Sequence, residues 1–163
     1  IYTCTIYCTC MPVDVVWFKR DLRARDHVPL LSASISGRPV ICLYILETKR
    51  LEQDDTDPIH IQWELDCAAE LSKTLNESGA FLHYGLGDAT EVLEEIHLEH
   101  GIERLLSHEE TGNSWSYSRD INVSNFCKSR GIKWIEYPNN GVVRRLGNRD
   151  DWKRERDKRM RDS

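Results

Sequence analysis

The chain has 163 residues, of which 40% are hydrophobic and 30% are charged, and its formal net charge at pH 7 is −5. This length indicates a single domain with a core of its own, and the composition is typical of globular rather than disordered proteins. No apolar run approaches the ~20 residues that a membrane-spanning helix requires, so we expect no membrane partner.

The charge is distributed unevenly along the chain. Residues 1–143 contain 13 Lys and Arg against 22 Asp and Glu, whereas residues 144–163 contain 9 against 5. Only the C-terminal segment therefore has a net positive charge, which attracts nucleic-acid phosphates. A solvated helix or linker is the more common explanation of such a charged segment.

The six cysteines do not predict a disulfide framework. Cys42, Cys67 and Cys127 lie far apart in apolar segments, which indicates reduced, buried thiols in an intracellular protein. The other three lie within residues 1–10 and offer too few ligands for a metal site, so we predict none. Residues 1–10 carry no charge and no targeting features, and we interpret them as an upstream leader before Met11.

Five short segments after Met11 predict β-strands. The first two are apolar and are expected to be buried, as is typical of strands covered on both faces. The segments are Val13–Phe18, Val40–Leu46 and residues 81–84, 104–108 and 134–137.

Helices are predicted between these strands. Asp26, Asp57 and Asp88 are the expected N-caps of the first three, and the fourth covers Ser114–Arg130. The second should bury one apolar face, formed by Ile59, Trp63, Leu65, Ala68, Ala69, Leu71 and Leu75. Strands that alternate with helices predict an α/β fold, with a parallel sheet and helices on both of its faces.

Ligands of an open parallel sheet bind at the carboxyl ends of the strands, where the strand order reverses. The loops expected there are polar, but they contain no nucleotide-binding signature. Gly85-Leu-Gly87 lacks the third glycine of a dinucleotide-binding fingerprint, and neither a phosphate-binding P-loop nor a nucleophile elbow occurs. The loops alone therefore identify no reaction.

One motif is more specific. The segment Val15-Val-Trp-Phe-Lys-Arg-Asp-Leu-Arg23, followed by Asp26-His27 and Pro29-Leu30, resembles the opening of photolyases and cryptochromes. Later segments also resemble this family, namely Leu43-Tyr-Ile45, Gly87-Asp88-Ala89 and Arg119-Asp120 with Val123. Residues 108–113 and 140–146 look most like a bacterial, cryptochrome-like branch of the deoxyribodipyrimidine photolyases.

The resemblance implies a Rossmann-like, three-layer α/β domain whose five-stranded parallel sheet has the order 3-2-1-4-5. Residues 11–146 would form this domain, and residues 147–163 would begin an interdomain linker helix. In the family, this N-terminal domain often holds an antenna chromophore, and a C-terminal helical domain holds FAD and the pocket for the flipped pyrimidine dimer. We expect the chain to end before that domain, which would be its partner, so that it contains neither catalytic residues nor the FAD site.

An antenna chromophore is expected at the carboxyl ends of the first, second and fourth strands. The resemblance and the loop positions together suggest ten contact residues: Phe18, Arg20, Asp21, Arg23, Tyr44, Leu46, Asp88, His108, Glu109 and Trp115. Folate-binding members have an Asn-Glu pair where Trp115 and Ser116 stand here, and the missing carboxylate favours a deazaflavin or a ribityllumazine over a folate. Trp115 could stack on the ring or fill an interface, and Asp21 between Arg20 and Arg23 could instead form loop-tying ion pairs.

Three functional hypotheses follow from the resemblance. The chain could be the antenna and docking domain of a light-driven DNA-repair photolyase, a lyase whose intact form alone would bind damaged DNA. It could belong to a cryptochrome-type blue-light photoreceptor, or it could be an orphan truncated module without activity. The sequence leaves repair and signalling open, because the two differ in the FAD domain.

Overall fold

The computed structural model describes residues 11–139, 142–144 and 146–161, so the interpretation of residues 1–10 as a leader falls outside it. Five parallel strands form one sheet in the order β3-β2-β1-β4-β5, which confirms the predicted fold class and strand order. The strands are β1 (Val13–Phe18), β2 (Val40–Leu46), β3 (Leu82–Leu86), β4 (Ile102–His108) and β5 (Lys133–Tyr137).

Helices cover both faces of the sheet. They are α1 (Val28–Ser34), α2 (Thr48–Leu51), α3 (Pro58–Glu77), α4 (Ala89–His100), α5 (Ser114–Arg130) and α6 (Trp152–Arg161). Helix α2 is a single turn between β2 and α3, in addition to the four helices predicted between the strands. Helix α6 lies within residues 147–163, whose assignment as a linker stays a prediction. Within the described residues, no helix combines the length and the apolarity needed to cross a membrane.

The central strand β1 divides the core into two layers, because successive side chains of a strand point to opposite faces. Val15 and Trp17 pack against α4 and α5 on one face, and Val16 and Phe18 pack against α1 and α3 on the other. All six residues of β1 are buried. The loops that leave β1, β2 and β4 therefore start from a rigid base at one edge of the sheet.

The first helix begins one residue later than predicted. His27, not Asp26, is the N-cap of α1, and its Nδ1 accepts a hydrogen bond from the backbone N–H of Leu30 at 3.1 Å. Asp26 adopts a left-handed conformation with φ of 49°, which aspartate tolerates better than most residues. The polar turn thus directs the His27 side chain inward.

The predicted apolar face of α3 is wrong at its N-terminal end. Ile59 and Trp63 are each 70% exposed, whereas Ala68, Leu71 and Leu75 are buried as expected. The buried stripe instead begins at Glu64, whose carboxylate accepts hydrogen bonds from Tyr44 and Arg50. The apolar pattern assigned the buried position to the ring of Trp63, but the carboxylate of Glu64 occupies it.

Candidate functional site at the carboxyl edge of the sheet

The loop after β1 contains a buried carboxylate, Asp21. Its Oδ2 lies 2.8 Å from Nε2 of His27 and 2.5 Å from Nδ1 of His108, and its Oδ1 accepts from the backbone N–H of Lys19 at 3.0 Å. Burial alone would raise the pKa of Asp21, but the hydrogen bonds from His108 and His27 outweigh it and hold the pKa well below its usual range. An ionised Asp21 therefore ties the loop to α1 and β4.

Asp21, His27 and His108 are also residue types that bind metal ions, and their candidate ligand atoms lie within 4.8 Å of one another. His27 does not fit that role. Its Nδ1 accepts from the N–H of Leu30, so Nε2 carries the ring proton and donates it to Asp21. Burial lowers the pKa of His27 despite the opposing effect of Asp21, which agrees with a neutral ring. We therefore describe this trio, the aspartate–histidine cluster, as a structural link between loops.

A second group of charges surrounds Arg119 on α5. Its guanidinium donates to Glu47 at 2.7 Å, to Glu110 at 2.6 Å and to Asp120 at 2.8 Å. Burial opposes the charge of Arg119, but the carboxylates of Glu110, Glu47 and Asp120 raise its pKa above the usual value. One arginine thus joins the ends of β2 and β4 to α5.

Lys19 and Arg144 extend this group of charges towards β5. We call the whole group the arginine network, and its members are Lys19, Glu47, Glu110, Arg119, Asp120, Glu136 and Arg144. The Nζ of Lys19 lies 3.4 Å from both Asp120 and Glu136. Arg144 donates to Asp120 at 2.7 Å and to Glu136 at 3.0 Å, and its Nε donates to the backbone carbonyl of Glu110 at 2.7 Å. The segment that follows β5 is therefore held at the same edge of the sheet.

Glu47 has a raised pKa, whereas the pKa of Asp120 in the same network is lowered. Burial raises the pKa of Glu47 to about 7, and Arg119 offsets this effect only in part. The short ion pair with Arg119 would favour an ionised Glu47, but that guanidinium also serves Glu110 and Asp120. The two neighbouring carboxylates repel a charge on Glu47, so we expect it to gain a proton near neutral pH.

A small cavity of ≈ 150 Å³ opens beside the arginine network. The guanidinium of Arg119 lies 5.5 Å from the ring centre of Trp115, and Lys49 forms a 3.2 Å ion pair with Asp88 at the rim. Its lining residues are Glu47, Lys49, Gly87, Asp88, Trp115, Ser118, Arg119 and Asn122. The half-buried indole and the surrounding charges suit a flat ring with polar substituents. A volume below ~300 Å³ is too small to enclose such a ligand completely.

The structure places only two of the ten predicted contact residues, Asp88 and Trp115, at this cavity. Phe18 is buried, and its ring packs 4.5 Å from that of His27. Asp21 and His108 are equally buried in the aspartate–histidine cluster. Phe18 supports the loop from below, whereas Asp21 and His108 also border a second cavity of ≈ 200 Å³ together with Arg20 and Glu109. The role of these residues as chromophore contacts stays a prediction.

Arg20, Arg23 and Glu109 lie around the rim of the same edge. Arg20 pairs with Glu110 at 3.0 Å, Arg23 donates to the side chain of Asn139 at 2.9 Å, and Glu109 pairs with Arg159 at 3.1 Å. The interpretation of Asp21 as an aspartate held between Arg20 and Arg23 is wrong, because its partners are the two histidines.

The remaining two predicted residues lie on β2. The hydroxyl of Tyr44 donates to Glu64 at 2.8 Å on the α3 side of the sheet, and burial raises the pKa of Tyr44. Leu46 is half-buried at the end of the strand, where its carbonyl accepts from the N–H of Gly87. Tyr44 therefore faces away from the cavity beside Trp115.

The arginine network was not part of the site predicted from the sequence. A signal was nonetheless present on α5, where Arg119 and Asp120 precede Val123 by four and three residues and therefore share its buried face. Charged residues on the apolar face of a helix indicate buried partners.

A sequence profile of the DNA photolyase family matches residues 14–148. A cryptochrome DASH of Gloeobacter violaceus is 28% identical over 116 residues, which are 68% of this chain and 23% of that protein. A blue-light photoreceptor of Arabidopsis thaliana is 32% identical over 124 residues, 73% of this chain and 28% of that protein. A deoxyribodipyrimidine photo-lyase of Agrobacterium fabrum is 33% identical over 92 residues, 56% of this chain and 19% of that protein.

Solved structures share the fold. A Synechocystis cryptochrome superposes with a TM-score of 0.74 at 23% identity, covering 81% of this chain and 28% of that one. A bacterial class III photolyase of Agrobacterium tumefaciens superposes with a TM-score of 0.72 at 24% identity, covering 91% of this chain and 30% of that one. The chain spans about a quarter of the length of the curated relatives that it matches. With a profile match over most of its length, the chain belongs to the DNA photolyase family.

Proposed function

We propose that this chain is the antenna and docking domain of a photolyase that uses light to repair pyrimidine dimers. The cavity beside Trp115 and Arg119 carries this proposal, because it opens between the ends of β2 and β3 and helix α5, at the carboxyl edge where open parallel sheets bind ligands. The remaining three quarters of such a protein would supply FAD, the catalytic residues and the contacts to damaged DNA. In this proposal, the chain alone is not an enzyme.

The proposed antenna is a deazaflavin or a ribityllumazine rather than a folate. Ser116 provides no carboxylate to accept from a pterin ring, and its buried hydroxyl already donates to the backbone carbonyl of Asn113 at 2.9 Å. Trp115 and Arg119 provide a stacking face and a cation instead. A structural neighbour, the photolyase of Sulfolobus tokodaii, is described with two FAD molecules and an implied novel light-harvesting cofactor. A flavin-like ring is therefore the preferred class here.

Titration of the chain with a deazaflavin, a ribityllumazine and a reduced folate, each followed by its fluorescence anisotropy, tests this proposal. We expect weak binding, because a half-open cavity buries little of the ring. We also expect no saturable micromolar binding of FAD. Trp115→Ala should lower the affinity for the preferred ring by about 5- to 150-fold, since a stacked ring contributes about 1–3 kcal/mol.

Trp63→Ala is the matched control, since Trp63 is exposed on α3 and lies outside the cavity. This variant should bind as the unchanged chain does. Tightest binding of the folate would contradict the argument from Ser116. A ligand whose affinity is the same in both variants would show that the site lies elsewhere.

A cryptochrome-type blue-light photoreceptor is the second candidate. The relative from Arabidopsis thaliana is a blue-light photoreceptor, and it is 32% identical over 73% of this chain. The discriminating experiment uses the intact protein and measures the loss of cyclobutane dimers from irradiated DNA under blue light. Light-dependent repair would support the photolyase, and photoreduction of the flavin without repair would support the photoreceptor.

A further inference from the structure

The last helix, α6, is strongly basic although the rest of the chain is acidic. Six of its ten residues are Lys or Arg and two are acidic. Residues 1–143 contain 22 acidic residues against 13 basic ones, so this helix carries a charge opposite to that of the sheet domain. The chain thus has a short segment of net positive charge beside a sheet domain of net negative charge.

The two sides of α6 differ in their contacts. On the inner side, Arg159 donates to Glu109 at 3.1 Å and to the carbonyl of Val142 at 2.8 Å, and Arg156 lies 5.0 Å from the ring centre of Trp152. The Arg159 contacts tie the helix to the edge of the domain, whereas Arg156 and Trp152 both belong to α6.

The outer side of α6 carries a row of exposed cations. Arg154, Lys158 and Arg161 are spaced by four and three residues, so they lie on one face and border a shallow depression of ≈ 430 Å³. Asp157 is the one acidic residue at this depression. Arg154 also pairs with Asp151 at 3.0 Å and with Glu155 at 3.2 Å, but exposed pairs of this kind are weak and exchange easily.

We propose that this outer face, the α6 cationic strip formed by Arg154, Lys158 and Arg161, binds the phosphodiester backbone of a nucleic acid. At 1.5 Å per residue the strip is about 10 Å long, which matches about three nucleotides of a strand that rises ~3.4 Å per nucleotide. The site is separate from the cavity beside Trp115 and does not depend on the proposed function. It would bind the backbone of any nucleic acid, which is distinct from the recognition of damaged DNA that the proposed function assigns to the rest of the protein.

The composition of the strip favours this ligand over two alternatives. A helix that lies on an anionic membrane needs an apolar face beside its basic one, and α6 contains only Trp152 and Met160 as apolar residues. A protein partner would require an apolar centre of the interface, which the strip lacks. Phosphate contacts need neither feature, since they are electrostatic and independent of base sequence.

Fluorescence anisotropy of a labelled 20-nucleotide oligo-dT, and separately of a 20-base-pair duplex, tests the proposal with the full chain. With about three phosphate contacts, raising the salt concentration from 50 to 150 mM should weaken binding about 10- to 20-fold, and the dissociation constant should lie near 10⁻⁴ M at physiological salt. The triple variant Arg154→Gln, Lys158→Gln, Arg161→Gln should lose this salt-dependent binding, whereas Arg154→Lys with Arg161→Lys should keep it.

The matched control neutralises three exposed cations on the sheet domain, Arg25→Gln, Lys73→Gln and Lys128→Gln, and changes the net charge by the same amount. It should bind as the unchanged chain does. Equal losses in the control and in the α6 variant would overturn the proposal, because binding would then follow net charge alone. Absence of salt-dependent binding to either probe would also overturn it, as would stronger binding to phosphatidylserine vesicles than to both nucleic acids.

Discussion

At the scale of single residues, the carboxyl edge depends on buried charges that share partners. Asp21 has two histidine donors to itself, and its pKa falls. Glu47 shares Arg119 with Glu110 and Asp120, and its pKa rises to about 7. Burial raises the pKa of both carboxyl groups, but the two histidine hydrogen bonds outweigh it at Asp21, whereas Arg119 offsets it only in part at Glu47. Glu47 should therefore respond to pH in the neutral range.

Glu47→Gln should reduce the pH dependence of stability. The carboxyl group has a pKa of about 7 in the folded chain against 4.5 as its ordinary value. The stability linked to this group is therefore fully present below about pH 4.5 and is lost as the pH rises through about 7. Glutamine does not titrate, so the variant should gain in free energy of unfolding relative to the unchanged chain between pH 5 and pH 8.

Urea unfolding at pH 5, 6, 7 and 8, followed by circular dichroism, measures this difference. The exposed Glu91→Gln is the control, and its difference from the unchanged chain should stay constant over the series. Parallel stability profiles for Glu47→Gln and the unchanged chain would contradict the raised pKa.

At the scale of elements, local patterns predicted the type of each strand and the helices α1, α3, α4 and α5, but they misplaced the buried face of α3. The sequence shows Ile59 and Trp63 in helical register with Leu71, yet the helix turns a different stripe towards the sheet. Glu64 enters that stripe because Tyr44 of β2 and Arg50 of α2 satisfy its carboxylate. Neither partner belongs to α3, so the pattern of this helix alone could not reveal the buried position.

Alanine variants of α3 should separate the two faces. Leu71→Ala should lower the free energy of unfolding by about 2–5 kcal/mol, because Leu71 is only 2% exposed and its removal leaves a cavity. Trp63→Ala should change it by less than about 0.5 kcal/mol, although it removes the larger side chain, because this residue is exposed. Urea unfolding of both variants measures the contrast. A larger loss of unfolding free energy for Trp63→Ala than for Leu71→Ala would contradict this assignment and support the buried face predicted from the sequence.

At the scale of the whole molecule, the arginine network joins segments that are distant in the chain. It connects the loop after β1, the end of β2, helix α5, strand β5 and the segment that contains Arg144. The same edge holds the cavity beside Trp115, so the residues that would bind a chromophore rest on this network. We therefore expect the removal of a charged side chain from this network to lower the stability of the whole domain rather than that of one loop.

Arg144→Gln should destabilise the domain by about 1–3 kcal/mol, because it removes charge-assisted hydrogen bonds to Asp120, to Glu136 and to the carbonyl of Glu110. Thermal or urea unfolding should show this loss in a single transition. Arg130→Gln is the matched control, since Arg130 pairs with Glu94 at an exposed surface and should contribute less than about 1 kcal/mol. Equal effects of the two substitutions would show that the Arg144 contacts are no stronger than surface pairs.

The sequence by itself determined the features that depend on near neighbours and on a family motif. The alternation of strands and helices, the caps at Asp57 and Asp88 and the bounds of α5 follow from local composition, because each involves residues within a few positions of one another. The family was recognisable because the segment from Val15 to Arg23 is specific. The strand order followed from the resemblance and was confirmed by the pairing of the strands.

Only the tertiary structure decided the partners of the buried charges. Asp21 meets His108 across 87 positions of sequence, and Arg119 meets Glu47 across 72. Such contacts depend on which strand ends lie side by side and on the direction that each side chain takes from its element. The sequence therefore predicted that a polar loop residue such as Asp21 contacts a ligand. In the structure, the parallel sheet places a partner side chain from a distant segment beside it.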